Sequence, residues 1–155
     1  MKLFIKEIDQ KFALEILGWN YEAPYDIYNN EINSESISEM LDNPYYVVLD
    51  ENSALVGFFC YGESAQVPIG AQFGAYNEKF IDVGIGMNPT LTGQGNGYRF
   101  SSYILQHLQG IFPLTPIRLT VAKFNKRAIH LYEKLGFEKK MEFNRETVEF
   151  ITMVL

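Results

Sequence analysis

Cysteine, histidine and long apolar runs are all scarce in this chain, and each shortage removes a class of function. The single cysteine, Cys60, has no internal partner for a disulfide and lies in the apolar run VGFFCYG. It reads as a buried core thiol rather than a nucleophile, and a reducing, cytoplasmic setting is expected. With two dispersed histidines, His107 and His130, no zinc site and no other metal is expected. The longest apolar runs, VGFFCYG and FITMVL, fall far below the ~20 residues that cross a bilayer. Acidic residues in MKLFIKEID stand where a signal sequence would be apolar, so no membrane partner is expected. Positive charge is also short: 13 Lys and Arg face 19 Asp and Glu, for a net charge of -6. A nucleic-acid partner needs clustered cations and is not expected, whereas a cationic substrate is compatible with this balance.

What is present is a chain of 155 residues with 47% hydrophobic content, enough for one substantial core, so residues 1–155 read as a single domain. LFIKEI reads as a strand and QKFALEILGW as a short helix, followed by the aromatic, turn-forming NYEAPYDIYNNEI as a loop or broken helix. Ser34 is the expected N-cap of a second helix, stopped at Asn43-Pro44. YYVVLD and ALVGFFCYG form a hairpin around Glu51, Asn52 and Ser53, and FIDVGIGM is a further strand. Phe100, Tyr103, Ile104 and Leu108 mark a helix that Pro113 and Pro116 close off. IRLTVA is a buried strand. Ala128, Leu131, Tyr132 and Leu135 mark a last helix closed by Gly136, and His130 falls off its buried face. GFEKKMEF and TVEFITMVL complete the chain as an antiparallel pair. The order βααβββαβαββ predicts a mixed sheet with helices on both faces, of the α/β or α+β kind.

The stretch LTGQGNGYRF puts glycine at 93, 95 and 97 directly before a helix. First-turn N–H groups have no intrahelical partner and, with the macrodipole, present about half a positive charge. Without side chains in the way, an anion such as a phosphate can reach them, although a tight turn without ligand has the same spacing. A Walker loop is disfavoured because Tyr98 and Arg99 follow Gly97. A dinucleotide fingerprint is disfavoured because Pro113 to Pro116 stand where its acidic residue belongs.

Two stretches together, DVGIGMNPTLTGQGNGYRF and LTVAKFNKRAIHLYEKLGF, resemble the GCN5-related N-acetyltransferase (GNAT) superfamily, in particular a small bacterial type similar to ribosomal-protein-alanine acetyltransferases. The resemblance implies a central mixed sheet of about seven strands flanked by about four helices. It also implies that strands 4 and 5, FIDVGIGM and IRLTVA, start paired and splay apart to admit acetyl-CoA. On this reading Thr92, Gly93, Gln94, Gly95, Asn96 and Gly97 cradle the coenzyme A diphosphate. Thr92 departs from the Gln or Arg of most relatives, which shifts the burden to backbone N–H groups with Arg99 as a helper. The backbone of Ile85 to Met87 binds the pantetheine arm. Gly84 and Gly86 suit a close approach by that arm, or else a bulge or small-residue packing.

Acetyl transfer needs a neutral amine, a polarised thioester carbonyl and a proton for the leaving thiolate. A lysine-like amine is free base in roughly one molecule in 2,500 at neutral pH. Asp82, at the family's acidic strand position, is the expected base, with Glu63 as second choice; an ordinary strand-end carboxylate is the other reading of Asp82. Backbone N–H near Met87 is expected to stabilise the oxyanion. Tyr132 holds the family's general-acid position and also suits packing on its own helix. Asn125 is expected to cap that helix and contact the coenzyme. The activity implied is acetyl-CoA-dependent N-acetylation of a small-molecule or peptide amine by direct attack, in a monomer or homodimer; a non-catalytic acyl-CoA-binding module with the same fold is the alternative. The acceptor is expected to lie against 19–30 and 140–147, where Trp19, Tyr21, Tyr25 and Tyr28 could form an aromatic wall and Glu22 and Asp26 attract a cation.

Overall fold

A computed structural model describes residues 2–155. Seven strands, β1 (Phe4–Glu7), β2 (Tyr45–Leu49), β3 (Leu55–Tyr61), β4 (Ile81–Met87), β5 (Ile117–Ala122), β6 (Glu138–Arg145) and β7 (Val148–Val154), form one sheet in the order β1-β2-β3-β4-β5-β7-β6. The α-helices are α1 (Gln10–Leu17), α2 (Ser34–Leu41), α3 (Gly97–Ile111) and α4 (Lys126–Lys134). This is the mixed α/β arrangement that the hydrophobic periodicities predict. Among the described residues no helix is long and apolar enough to cross a membrane.

Two helix boundaries and two loops differ from expectation for identifiable reasons. Asn33, not Ser34, caps α2: its extended backbone lets Oδ1 accept from the Ser36 N–H at 2.9 Å and from the Ser36 hydroxyl at 3.0 Å. The helix ends at Leu41, ahead of the expected stop, and Asn43 Nδ2 donates to the Glu39 carbonyl at 2.8 Å. The aromatic stretch after α1 holds a 3-10 turn at Tyr25–Tyr28, and the small-residue stretch after β3 holds two more, Gly62–Ala65 and Pro68–Phe73.

The chain divides into two compact units, Met1–Cys60 with Ile85–Phe100, and Tyr61–Gly84 with Ser101–Leu155. In the first, β1 and β2 pair antiparallel from Phe4↔Leu49 to Glu7↔Tyr46, and β2 pairs antiparallel with β3. Ala13, Ile16 and Leu17 of α1 and Met40 of α2 bury against Val47, Leu49 and Leu55. Each large aliphatic side chain so buried contributes on the order of 1.5–3 kcal/mol. Trp19 packs half-buried against this core, its ring 6.0 Å from that of Phe58. Gly57 of β3 is equally constrained: a Cβ there would overlap both the Gly86 carbonyl and the Phe100 ring. At Gly86 the space a Cβ would need is filled by the Phe58 ring, so small-residue packing accounts for that glycine.

In the second unit β4 and β5 start in parallel, with Ile81 opposite Ile117 and Asp82 opposite Arg118. β5 pairs antiparallel with β7 from Arg118↔Val154 to Ala122↔Phe150, and β7 pairs with β6 around a turn in which Glu146 takes φ 54.

Since the atom opposing Gly57 is backbone and cannot swing aside, Gly57→Ala is expected to destabilise the protein by about 3 kcal/mol. Urea denaturation should show a lowered midpoint with an unchanged m-value.

Candidate active site

β4 runs through Met87 into Asn88-Pro89, and Asn88 organises the turn beyond the strand. Its N–H donates to the Val56 carbonyl at 2.9 Å and its Nδ2 to the Leu55 carbonyl at 3.1 Å, tying the end of β4 to the start of β3. Its Oδ1 accepts from the Thr90 N–H at 3.1 Å and the Thr90 hydroxyl at 2.9 Å, capping the 3-10 turn Pro89–Leu91. Over the next residues the polar side chains bend back onto the carbonyls of that turn. The Thr92 hydroxyl donates to Pro89 at 2.9 Å, Gln94 Nε2 to Thr90 at 2.8 Å and Asn96 Nδ2 to Leu91 at 3.4 Å. Thr92 thereby shapes the loop from within.

Helix α3 opens on Gly97, and the Asn96 carbonyl accepts its first bond from the Phe100 N–H at 3.1 Å. Gly93 and Gly95 are exposed and take φ 73 and 82, a left-handed backbone that other residues enter only under strain. A Cβ on Gly95 would meet nothing within 4 Å, so its outer face is open. Loop carbonyls turned to internal donors, an open glycine face and a helix start together suit an oxyanion-rich group such as a diphosphate.

The Met87 carbonyl accepts a 2.7 Å hydrogen bond from the Tyr21 hydroxyl, a contact that aromatic composition does not foretell. Burial pushes the Tyr21 phenol up to about 12, so it is a protonated donor throughout the physiological range. Tyr21 is itself seated by Asn29, whose Oδ1 accepts from the Tyr21 N–H at 2.7 Å and whose Nδ2 donates to Asn20 Oδ1 at 2.9 Å. Tyr28 meets the Tyr21 ring edge-on at 6.3 Å. Glu22 and Asp26 are exposed on this loop.

Asn125, Tyr132 and Asp82 belong to the second unit. Asn125 caps α4 as expected, its Oδ1 accepting from the Ala128 N–H at 3.1 Å. Tyr132 is half-buried on α4, with its ring edge-on to Phe137 at 5.8 Å. Asp82 is 3% exposed, and both its oxygens are engaged. Oδ1 accepts from Arg118 Nε at 2.6 Å; Oδ2 accepts from Arg118 Nη2 at 2.8 Å and Gln66 Nε2 at 2.9 Å. Arg118 Nη1 donates to the Glu78 carbonyl at 3.1 Å, and the rings of Tyr76 and Phe80 lie 5.1 and 5.3 Å from the guanidinium carbon. Asp82, the expected base, is in this setting the counter-ion of a buried arginine. Glu63, the second choice, is exposed in the 3-10 turn Gly62–Ala65.

Removing one partner of this pair leaves an uncompensated buried charge. Arg118→Met is expected to cost about 3–5 kcal/mol, while Asp82→Leu combined with Arg118→Met recovers most of the loss. A double-mutant cycle in urea measures the coupling.

The model of the Acetyltransferase (GNAT) family matches residues 11–137. No match is found among curated proteins. Among solved structures, a chimera of the Vibrio cholerae spermidine N-acetyltransferase SpeG and hSSAT superposes with a TM-score of 0.73 at 22% identity, covering 100% of this chain and 95% of that one. A point mutant of the Vibrio cholerae SpeG gives 0.72 at 19% identity, with 99% and 93% covered. A GNAT-family acetyltransferase from Bacillus anthracis gives 0.75 at 14% identity, with 100% and 95% covered. At these identities the superpositions speak for the fold, and the family match over most of the chain speaks for the chemistry. The chain belongs to the GNAT acetyltransferase family, and is an N-acetyltransferase that draws its acetyl group from acetyl-CoA.

Proposed function

We propose that this enzyme acetylates a primary amine by direct attack, and that the amine is carried by a cationic acceptor. The observation that carries the first part is the loop 92–97, with its side chains folded inward and the Gly95 face open at the start of α3. The N–H groups of Gly93, Gly95 and Gly97, with Gln94, Asn96 and the shaping Thr92, hold the diphosphate of the coenzyme. When bound, acetyl-CoA supplies a thioester carbonyl open to an amine. The backbone of Ile85 to Met87 would hold its pantetheine arm, and the Met87 N–H would offer a donor to the carbonyl oxygen as negative charge develops there. Tyr132 holds a phenolic proton for the sulfur that leaves as the C–S bond breaks and the C–N bond forms. Asn125 adds a contact from the start of α4. With Asp82 committed to Arg118, Glu63 takes up the base role.

Charge distribution supports the second part. The first unit carries eleven Asp and Glu against four Lys and Arg, while the second carries eight against nine. No Lys, Arg or His occurs between Lys11 and Lys79, a span that includes Glu22, Asp26 and the Tyr21–Asn29 loop. Such a field concentrates cations and repels anionic competitors. The structural neighbours named for spermidine act on a polycationic amine and are consistent with this class of acceptor.

Thiol release from acetyl-CoA should be followed across spermidine, an aminoglycoside, a free amino acid and a peptide N-terminus. Turnover is expected to favour the polycations, with kcat/KM falling as salt is raised. Tyr132→Phe should lower kcat by about 100-fold. Acetyl-CoA binding without thiol release from any acceptor would favour the binding-module alternative. Salt-independent turnover of neutral acceptors would remove the cationic assignment alone.

A further inference from the structure

We infer that Tyr21 is a positioning residue for acetyl transfer: its hydroxyl fixes the Met87 carbonyl and so links closure of the 20–29 loop to the aim of the backbone donor at Met87. The inference rests on the reading above that the Met87 N–H faces the thioester carbonyl.

The Met87–Asn88 peptide group is held at both ends. Its carbonyl receives the Tyr21 hydroxyl at 2.7 Å, and its N–H donates to Val56 at 2.9 Å. The preceding residue, Gly86, is wedged by the Phe58 ring, and its carbonyl lies against Gly57. Met87 is therefore a single residue between two fixed peptide groups, and its own N–H can aim in few directions. Of these restraints only the Tyr21 bond comes from outside the strands, across 66 residues of sequence. Asn29 accepts from the Tyr21 N–H at 2.7 Å and donates to Asn20 Oδ1 at 2.9 Å, bonds that close the loop on itself, so an opened loop cannot deliver the hydroxyl. The loop that carries Glu22 and Asp26 is thus mechanically joined to the strand edge that would polarise the acetyl group. A part-buried carbonyl deprived of its donor is left unsatisfied and has reason to turn.

Tyr21→Phe removes one oxygen and keeps the ring. It is expected to lower kcat about tenfold and raise the acceptor KM, with the acetyl-CoA KM changed less than about twofold. Because burial pushes the phenol up to about 12 and keeps it protonated, the ratio of wild-type to variant kcat should stay constant with pH up to about 10. A spectroscopic readout separates this inference from the reading beneath it. Isotope-edited infrared spectra of protein-bound acetyl-CoA labelled at the thioester carbonyl are expected to show the wild-type band below that of free acetyl-CoA and the Tyr21→Phe band shifted back toward it. Asn29→Ala, which keeps the hydroxyl but unties its loop, should move kcat and the band in the same direction. A wild-type band at the free frequency would overturn the Met87 reading and this inference together. A shifted wild-type band that persists in Tyr21→Phe would overturn the inference alone, whether kcat is retained or falls only in step with thermal stability.

Discussion

A guanidinium and a carboxylate that have both left water persist only as a pair, and the pairing of Asp82 with Arg118 governs how the second unit is built. Each ion forfeits several kcal/mol of hydration, so the bidentate contact and its satellite bonds offset a cost more than they add stability. Their effect is selective. Asp82 and Arg118 are opposite each other in the parallel β4–β5 register, and a slip by one residue would send a charge to the wrong face of the sheet. The same pair recruits the irregular connection between β3 and β4. Gln66 bonds Asp82, the Glu78 carbonyl accepts from Arg118, and the Tyr76 hydroxyl lies 2.8 Å from Thr120 while accepting from the Val67 N–H at 2.9 Å.

β4 is held by different physics at its two ends. At Asp82 the restraint is an ion pair; at Met87 and Asn88 it is a set of uncharged hydrogen bonds, each accepted by a main-chain carbonyl: the Asn88 N–H to Val56, Asn88 Nδ2 to Leu55 and the Tyr21 hydroxyl to Met87. That contrast suits the work proposed for each end. Stabilising a developing oxyanion requires a donor whose place is fixed and whose charge does not change with pH, and a backbone N–H meets both conditions. The side chains around it, the Phe58 ring and a Tyr21 phenol that burial keeps protonated, then serve placement.

The strands and helices were legible because their apolar periodicity is regular and their ends carry Gly, Pro and Asn. The expected sheet and its helices come from that pattern alone. The features that escaped it depend on partners distant in sequence. Asn33 and Ser34 are both good caps, and only the backbone angles choose between them. The spacing of Asp82 from Pro89 says where it sits on β4 but not what faces it. A signal did exist: Asp82 in IDVGIGM and Arg118 in IRLTVA are lone charges, of opposite sign, each second in an apolar strand. Gly57 is inconspicuous beside Gly84 and Gly86, because a strand glycine reveals nothing of what crosses it. Tyr21 lies among Tyr25 and Tyr28 in a stretch without periodicity, where composition indicates aromatics and cannot say which hydroxyl finds a carbonyl.

One tension remains in the first unit, which carries a negative excess and yet contains the loop suited to a diphosphate. Distance resolves it. Net charge acts through a field screened over about 8 Å at physiological ionic strength, whereas N–H groups at a helix start act at contact. Between Met87 and Phe100 the chain has no acidic residue, and Arg99 is its one cation. The segment that would meet phosphate oxygens is therefore locally free of the charge that surrounds it. An acidic unit can gather a cationic acceptor from solution and still hold an anionic donor, provided the anion is gripped by backbone. On the proposed reading threonine at 92 would suffice: its hydroxyl folds the loop onto the Pro89 carbonyl without adding a charge of its own.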